Sequence, residues 1–459
     1  MKQMKKKFFA ATMAGLMAMT AFTGCSSEEV APDNGGATGG TTEPIEVVIP
    51  QLSGETEVVM WHFMSGAQEE ILGEIITEFN ETNGQGIVVS AISQGKVPDL
   101  NKKVIAGAQS NTLPAIINVY PDLATGLIEQ DNIFDMSAFA MHPEIGIRED
   151  LEKDFIPAFV AEVAQWNDGQ LYGLPMTKST EVVYVNKTKL EEIGYTMEDV
   201  QNMTIEKLAE ISAVSKEKLG IPGFGYDSNS NGFITIMKMG GMDFVELDGT
   251  INLDNEWARE YMTFLRAQVD SGAFRTTGED GYLSGPFSNQ QVLMYQGSSA
   301  GATFINTNDA FELAVVPAPS FESGSRQAVI QQGGSVFITN DVSPEQQYAA
   351  YEFVKFATNT ENTAKFAVNT GYLPVRRSAT ETDTLKTVLG DTESVYGKVF
   401  PAAQISLEYA YYTPAINNAQ SARNTIGEKF EAYLQGSIPD IESFISESAA
   451  EVQTAIGRQ

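Results

Sequence analysis

The chain of 459 residues has one cysteine and two histidines. A single thiol, Cys25, cannot close an internal disulfide, and the isolated His62 and His142 do not have the spacing of a metal site. Scarce histidine also bears on hydrolysis. Gly297-Ser298-Ser299-Ala300-Gly301 fits G-x-S-x-G, with Ser299 as nucleophile, but in α/β-hydrolases the histidine base follows the serine, and both histidines here precede it. No glycine-rich stretch reads G-x-x-x-x-G-K-[ST], so no nucleotide-phosphate loop is expected. Positive charge is scarce too: 29 Lys and Arg against 60 Asp and Glu give a formal net charge of -31. That balance disfavours nucleic acid as a partner and favours solubility outside the cell. A paired-carboxylate glycosidase is not excluded by counting acids. No apolar run, that of residues 8–22 included, is long enough to cross a bilayer as a permanent helix, and neither internal repeats nor a need for a cofactor can be read.

The N-terminus carries its own pattern. Lys2, Lys5, Lys6 and Lys7 precede the apolar residues 8–22, and Thr23-Gly24-Cys25 follows. This is the basic, hydrophobic and small-residue order of an export signal. Residues 1–24 are therefore expected to be a lipoprotein signal peptide and Cys25 the lipidated N-terminus of the mature chain, although Phe22 stands where a lipobox usually has Leu. The alternative, a buried free thiol, would need a core that the Ser, Glu and Gly around Cys25 do not offer. After Cys25 the composition to about residue 42 is Ser, Glu, Pro, Asn, Gly and Thr, which cannot bury enough surface to offset ordering entropy. Residues 25–54 are read as the lipidated cysteine and a flexible tether.

From about Glu55 the chain is globular and too long for one core, which suggests two domains. Residues 57–62 (EVVMWH) read as a strand, 68–80 as a helix with Ile71, Leu72, Ile75, Ile76 and Phe79 on one face, 86–91 as a strand, 100–109 as a helix and 115–120 as a strand. The alternation implies an α/β sheet with helices on its faces, and ligands of such sheets bind beyond the carboxyl ends of the strands. Later strands are expected at 180–186, 311–317 and 335–339, and helices at 187–192 and 346–358.

Gln170-Leu171-Tyr172-Gly173-Leu174-Pro175, then Tyr184-Val185-Asn186-Lys187 and Gly194, resemble the signature of family 1 extracellular solute-binding proteins. Trp61-His62-Phe63-Met64, Pro114-Ala115-Ile116, Ser179-Thr180, Gly297-Ser298-Ser299, Gly333-Gly334 and Thr370-Gly371-Tyr372-Leu373-Pro374 stand in the order of that family's phosphoglycerol-binding branch. The resemblance implies a two-lobed, periplasmic-binding-protein-like α/β fold with hinge crossovers and an interlobe ligand cleft. It places residues 55–177 plus 314–358 in lobe 1 and 178–313 plus 359–459 in lobe 2, with crossovers near 174–180, 315–319 and 358–362. It implies a monomeric, lipid-anchored and non-catalytic subunit of an ABC importer, which captures a small polar solute and docks on permease subunits.

The same resemblance assigns a phosphate site to Ser179, Ser298, Gly334, Tyr372 and Arg423, where neutral donors orient the oxygens and a guanidinium grips two at once. Val97 and Pro121 stand where the branch holds glycerol hydroxyls with Tyr and Glu, so Asp122 is the expected substitute carboxylate. Phe233 and Trp61 are expected to wall the pocket. The competing reading of Arg423 is a helix arginine paired with a nearby acid. A sugar or oligosaccharide is the alternative ligand, stacked on aromatics drawn from Trp61, Tyr120, Tyr226, Phe233, Tyr372, Tyr411 and Tyr412, although core packing explains any one of these equally. A membrane sensor in place of a permease is a further alternative.

Overall fold

The computed structural model describes residues 48–166, 169–321 and 327–457. The expected signal peptide, Cys25 and most of the tether lie outside the described residues. Residues 48–54 contain no helix or strand.

The first elements follow from local patterning. β1 (Thr56–His62) pairs in parallel with β2 (Ile87–Ser93) and β3 (Ile116–Val119). Parallel neighbours need crossover connections, supplied by helices Ala67–Thr82 and Val97–Ser110. The first of these buries Ile71, Leu72, Ile75, Ile76 and Phe79, the stripe that the sequence spacing predicts. Further along come β4 (Gly173–Pro175), β5 (Ser179–Asn186), a short parallel pair β6 (Phe224–Gly225) and β7 (Phe274–Arg275), then β8 (Met294–Ser298), β9 (Leu313–Pro317), β10 (Val329–Gln332), β11 (Ser335–Ile338) and β12 (Ala410–Tyr411). They complete two five-stranded sheets. One has the order β2-β1-β3-β11-β4; the other has the order β12-β10-β5-β8, with β9 also on β5.

β5 is the spine of the second sheet and is buried along its whole length. Successive strand residues face opposite sides, so Val182 and Tyr184 pack on one face of the second sheet, with Tyr184 stacked on Tyr295, while Val183 and Val185 pack on the other. The apolar run VVYV is legible because both faces of this strand are covered.

The lobe boundaries differ from expectation in two places. β9 and β10 both pair antiparallel with β5, so residues 314–317 and 329–332 belong to the second sheet and not to lobe 1. The return crossing is at Gly333 and Gly334, not at 315–319. Helix Thr360–Thr370 packs on helix Ala67–Thr82, with Lys365 2.9 Å from Glu74, so the chain is still in the first lobe where the last crossover was expected. It crosses near Leu373 instead, whose amide donates to the Lys178 carbonyl at 2.6 Å. Beside it the Thr177 amide donates to the Gly334 carbonyl at 3.1 Å. The three crossing segments thus lie side by side. Contact there is close enough to require glycine: a Cβ on Gly333, which has φ 106°, would stand 1.6 Å from the Thr177 carbonyl oxygen.

Candidate functional site

A cavity of about 820 Å³ opens between the lobes, within the size range of small-molecule sites. Its first-lobe wall runs along helices Val97–Ser110 and Pro121–Glu129, which start beyond the carboxyl ends of β2 and β3. Its second-lobe wall comes from the start of β5, residues 227–231 and helix Ala419–Leu434.

Ser179, Ser298, Tyr372, Arg423 and Asp122 all line this cavity. Ser179 opens β5 and shares its inward face with Glu181. Ser298 ends β8 and caps the following turn, its Oγ accepting from the Ala300 amide at 3.2 Å while its O–H stays free to donate. Gly371, at φ 74°, terminates helix Thr360–Thr370 in a left-handed turn. The turn delivers Tyr372, whose ring stacks on Phe366 at 5.9 Å. Burial pushes its phenol above the usual tyrosine range, so it is a neutral donor.

Asp122 reaches the cavity by a local device. The strand stops at Val119, and Pro121 is already in the first helical turn with its φ preset. Asp122 therefore lies in a helix, where strand alternation no longer turns it away. Arg423 stands inside helix Ala419–Leu434 and does not open it.

Around Arg423 the polar groups are interlocked. Its Nη2 donates to Asn231 Oδ1 at 2.7 Å, and its Nη1 lies 3.9 Å from Asp122 Oδ2. Asn231 Nδ2 donates to Glu181 Oε1 at 2.6 Å and to Gln332 Oε1 at 2.8 Å, and Gln296 donates to Glu181 Oε2 at 2.8 Å. The Nε of Arg423 and Oδ2 of Asp122 are buried without hydrogen-bond partners. Burial lifts the Asp122 carboxyl to about 6 against the pull of Arg423. Asp227 is also lifted to about 6 by burial, with the Leu283 amide donating to it at 2.5 Å in opposition. Three carboxylates, those of Asp122, Glu181 and Asp227, and one guanidinium thus line this cleft.

Three expected site residues lie elsewhere. Phe233 is fully buried among Phe244, Phe430 and Phe444. It belongs to helix Asn229–Met239, where two residues turn the side chain by about 200°, so Asn231 faces the cleft and Phe233 the core. Gly334 does not offer its amide to the cleft, because that N–H donates to Thr177 Oγ1 at 3.0 Å within the crossover. Trp61 packs toward Gly107 of helix Val97–Ser110 and takes no part in the lining. Of the seven aromatics considered for stacking, Tyr120 and Tyr372 line the cavity, joined by the exposed Tyr282.

Asn231, Glu181, Gln332, Asp227 and Tyr282 went unread in the sequence, since no motif singles them out. His62 is buried at the end of β1 with Nδ1 accepting from the Met64 amide at 3.1 Å, and burial lowers its pKa. Ser299 is fully buried and its hydroxyl has no partner, so among the described residues no base reaches it.

Two α/β lobes that meet at three adjacent crossings and enclose a polar cleft define a bilobal ligand-capturing protein. Comparison with known proteins gives the family. The model of bacterial extracellular solute-binding proteins matches residues 74–388, and the chain belongs to that family as the solute-binding component of an ABC importer. It is 26% identical over 412 residues to the sn-glycerol-3-phosphate-binding periplasmic protein UgpB of Rhizobium meliloti (strain 1021), covering 84% of this chain and 90% of that one. The UgpB of Salmonella typhimurium is 24% identical over 413 residues, covering 87% and 88%. Among solved structures, the cyclic alpha-maltosyl-1,6-maltose binding protein of Arthrobacter globiformis superposes with TM-score 0.73 at 19% identity, covering 88% and 99%. UgpB of Mycobacterium tuberculosis in complex with glycerophosphocholine does so with TM-score 0.72 at 17% identity, covering 88% and 99%.

Proposed function

We propose that the cleft captures a small hydroxylated solute bearing one anionic group of the glycerophosphate type, outside the cytoplasm, and hands it to a membrane permease without altering it. The observation that carries the reading is convergence. Ser179, Ser298, Tyr372 and Arg423 come from four distant segments and line one cavity, in which Arg423 is the one basic side chain among the described residues. Neutral donors around a planar guanidinium suit a phosphate oxygen set. The names of the R. meliloti and Salmonella relatives agree with this chemistry. Asn101, whose buried Oδ1 has no hydrogen-bond partner, is available to the hydroxyls of the solute. In this reading Cys25 anchors the protein by lipid and the chain works as a monomer.

A neutral oligosaccharide is the second reading, favoured by the three carboxylates and by the further carboxamides Gln109, Gln130 and Asn417 in the lining. A thermal-shift screen against glycerol 3-phosphate, glycerophosphodiesters, sugar phosphates and neutral oligosaccharides separates the two. A ligand at ~100 times its Kd stabilises the native state by ~2.7 kcal/mol. A phosphate-dependent shift that disappears in Arg423→Ala supports the anionic site; a shift with neutral sugars alone overturns it. The readout is the ligand-induced change and not the absolute melting temperature, because Arg423 also contacts Asn231 and faces Asp122.

A further inference from the structure

Asp122 and Arg423 stand on opposite lobes and approach without bonding. A closed carboxylate–guanidinium pair has N···O distances of ~2.8 Å, whereas here the separation is 3.9 Å and Asp122 Oδ2 accepts no hydrogen bond. That oxygen is buried and faces the cleft. An anionic oxygen gripped by Arg423 must therefore come to rest beside it. Two negative oxygens in so confined a space repel, and a single proton between them turns the repulsion into a hydrogen bond.

We propose that Asp122 takes up one proton from solvent when an anionic group binds at Arg423, and then donates a hydrogen bond to that group. Anion capture is thereby coupled to proton uptake. The inference rests on the anionic reading above and assigns Asp122 to the anionic end of the ligand, not to its hydroxyls.

The surroundings leave Asp122 free for this role. Facing it are Arg423 on helix Ala419–Leu434, Glu162 on helix Pro157–Val163, Lys178 in the crossover, and Tyr120 just before its own helix. Lys178 is already engaged by Glu162 and by the Gly333 carbonyl. Across the cleft Glu181 is held by Asn231 and Gln296, and Asp227 by the Leu283 amide. With its carboxyl lifted to about 6 by burial, Asp122 is mainly ionised at neutral pH in the free protein yet protonates readily.

Isothermal titration calorimetry in buffers of different ionisation heat tests this, using glycerophosphoglycerol, a monoanionic diester without a cation, and glycerol 3-phosphate. For the diester, which has no ionisation of its own in this range, the readout is the difference between wild type and Asp122→Asn; glycerol 3-phosphate, whose second ionisation lies at about pH 6, tests the anionic site alone. Wild type is expected to take up about one more proton than the variant near neutral pH, and its Kd to weaken up to tenfold per pH unit above about pH 6. Asp122→Asn, with a permanent amide donor, should bind more tightly than wild type above about pH 7 and lose this pH dependence. Equal proton uptake in the two proteins overturns the proposal, as does weaker binding by a variant that melts like wild type. A second substitution, Asp122→Ser, repeats the comparison if the first does not fold. Failure of the underlying reading looks different: neither phosphate compound gives heat at any pH while a neutral oligosaccharide does, and the proton step then falls with it.

Discussion

Asp122 and Asp227 sit in the native cleft with carboxyls lifted to about 6 from an ordinary 3.8, burial being the larger cause in both. Between those values the native state holds more protons than the unfolded chain, so stability is greatest below the lower value and is lost as pH rises through about 6. A lift of this size is worth ~3 kcal/mol for each group. Asp227→Asn keeps an oxygen for the Leu283 amide and removes the buried charge. It is expected to raise stability by about 1–3 kcal/mol at neutral pH and to flatten the pH dependence, read from urea midpoints at acid and neutral pH. Phe233 supplies the opposite contrast: Phe233→Ala should cost about 3–5 kcal/mol as a core cavity, while the ligand affinity of the folded fraction holds. The resemblance leads to the right segment here and the wrong residue, because it does not show that this segment is a helix, whose turn sends Asn231 to the cleft and Phe233 to the core.

At the scale of elements, the crossover between β4 and β5 decides where the site donors stand. Lys178, fully buried, is bonded to Glu162 and to the Gly333 carbonyl, and Gln331 donates to the same carboxylate at 3.1 Å. Lys178 immediately precedes Ser179, so this pair fixes the strand whose first residue lines the cleft. Lys178→Met would leave Glu162 buried beside Gln331 alone, at an expected cost of about 3–5 kcal/mol in denaturant unfolding. Adding Glu162→Leu should recover much of the loss, because then no unpaired charge is buried. Local periodicity made β1, β2, β3, β5 and their helices readable to within a few residues. It missed β10, whose four residues VIQQ are too short and half polar, and it could not assign β9 to a sheet, since an apolar strand looks the same whichever neighbour it pairs with.

At the scale of the whole molecule, two five-stranded sheets joined by three adjacent crossings permit one lobe to rotate against the other. Ligand binding is expected to close the cleft and reduce the radius of gyration in small-angle X-ray scattering. Arg423→Ala should show no such compaction with an anionic ligand, and compaction of the variant equal to wild type would remove Arg423 from the site. The sequence by itself determined the strand–helix alternation, the family and four of the residues that line the cleft, because burial periodicity and short motifs are local properties of the chain. Only the tertiary structure decided that Gly334 spends its amide on Thr177, that Asn231 and not Phe233 reaches the cleft, and that Asp122 faces Arg423. Each of these depends on how segments far apart in sequence pack and share their hydrogen bonds, which no single stretch of residues specifies.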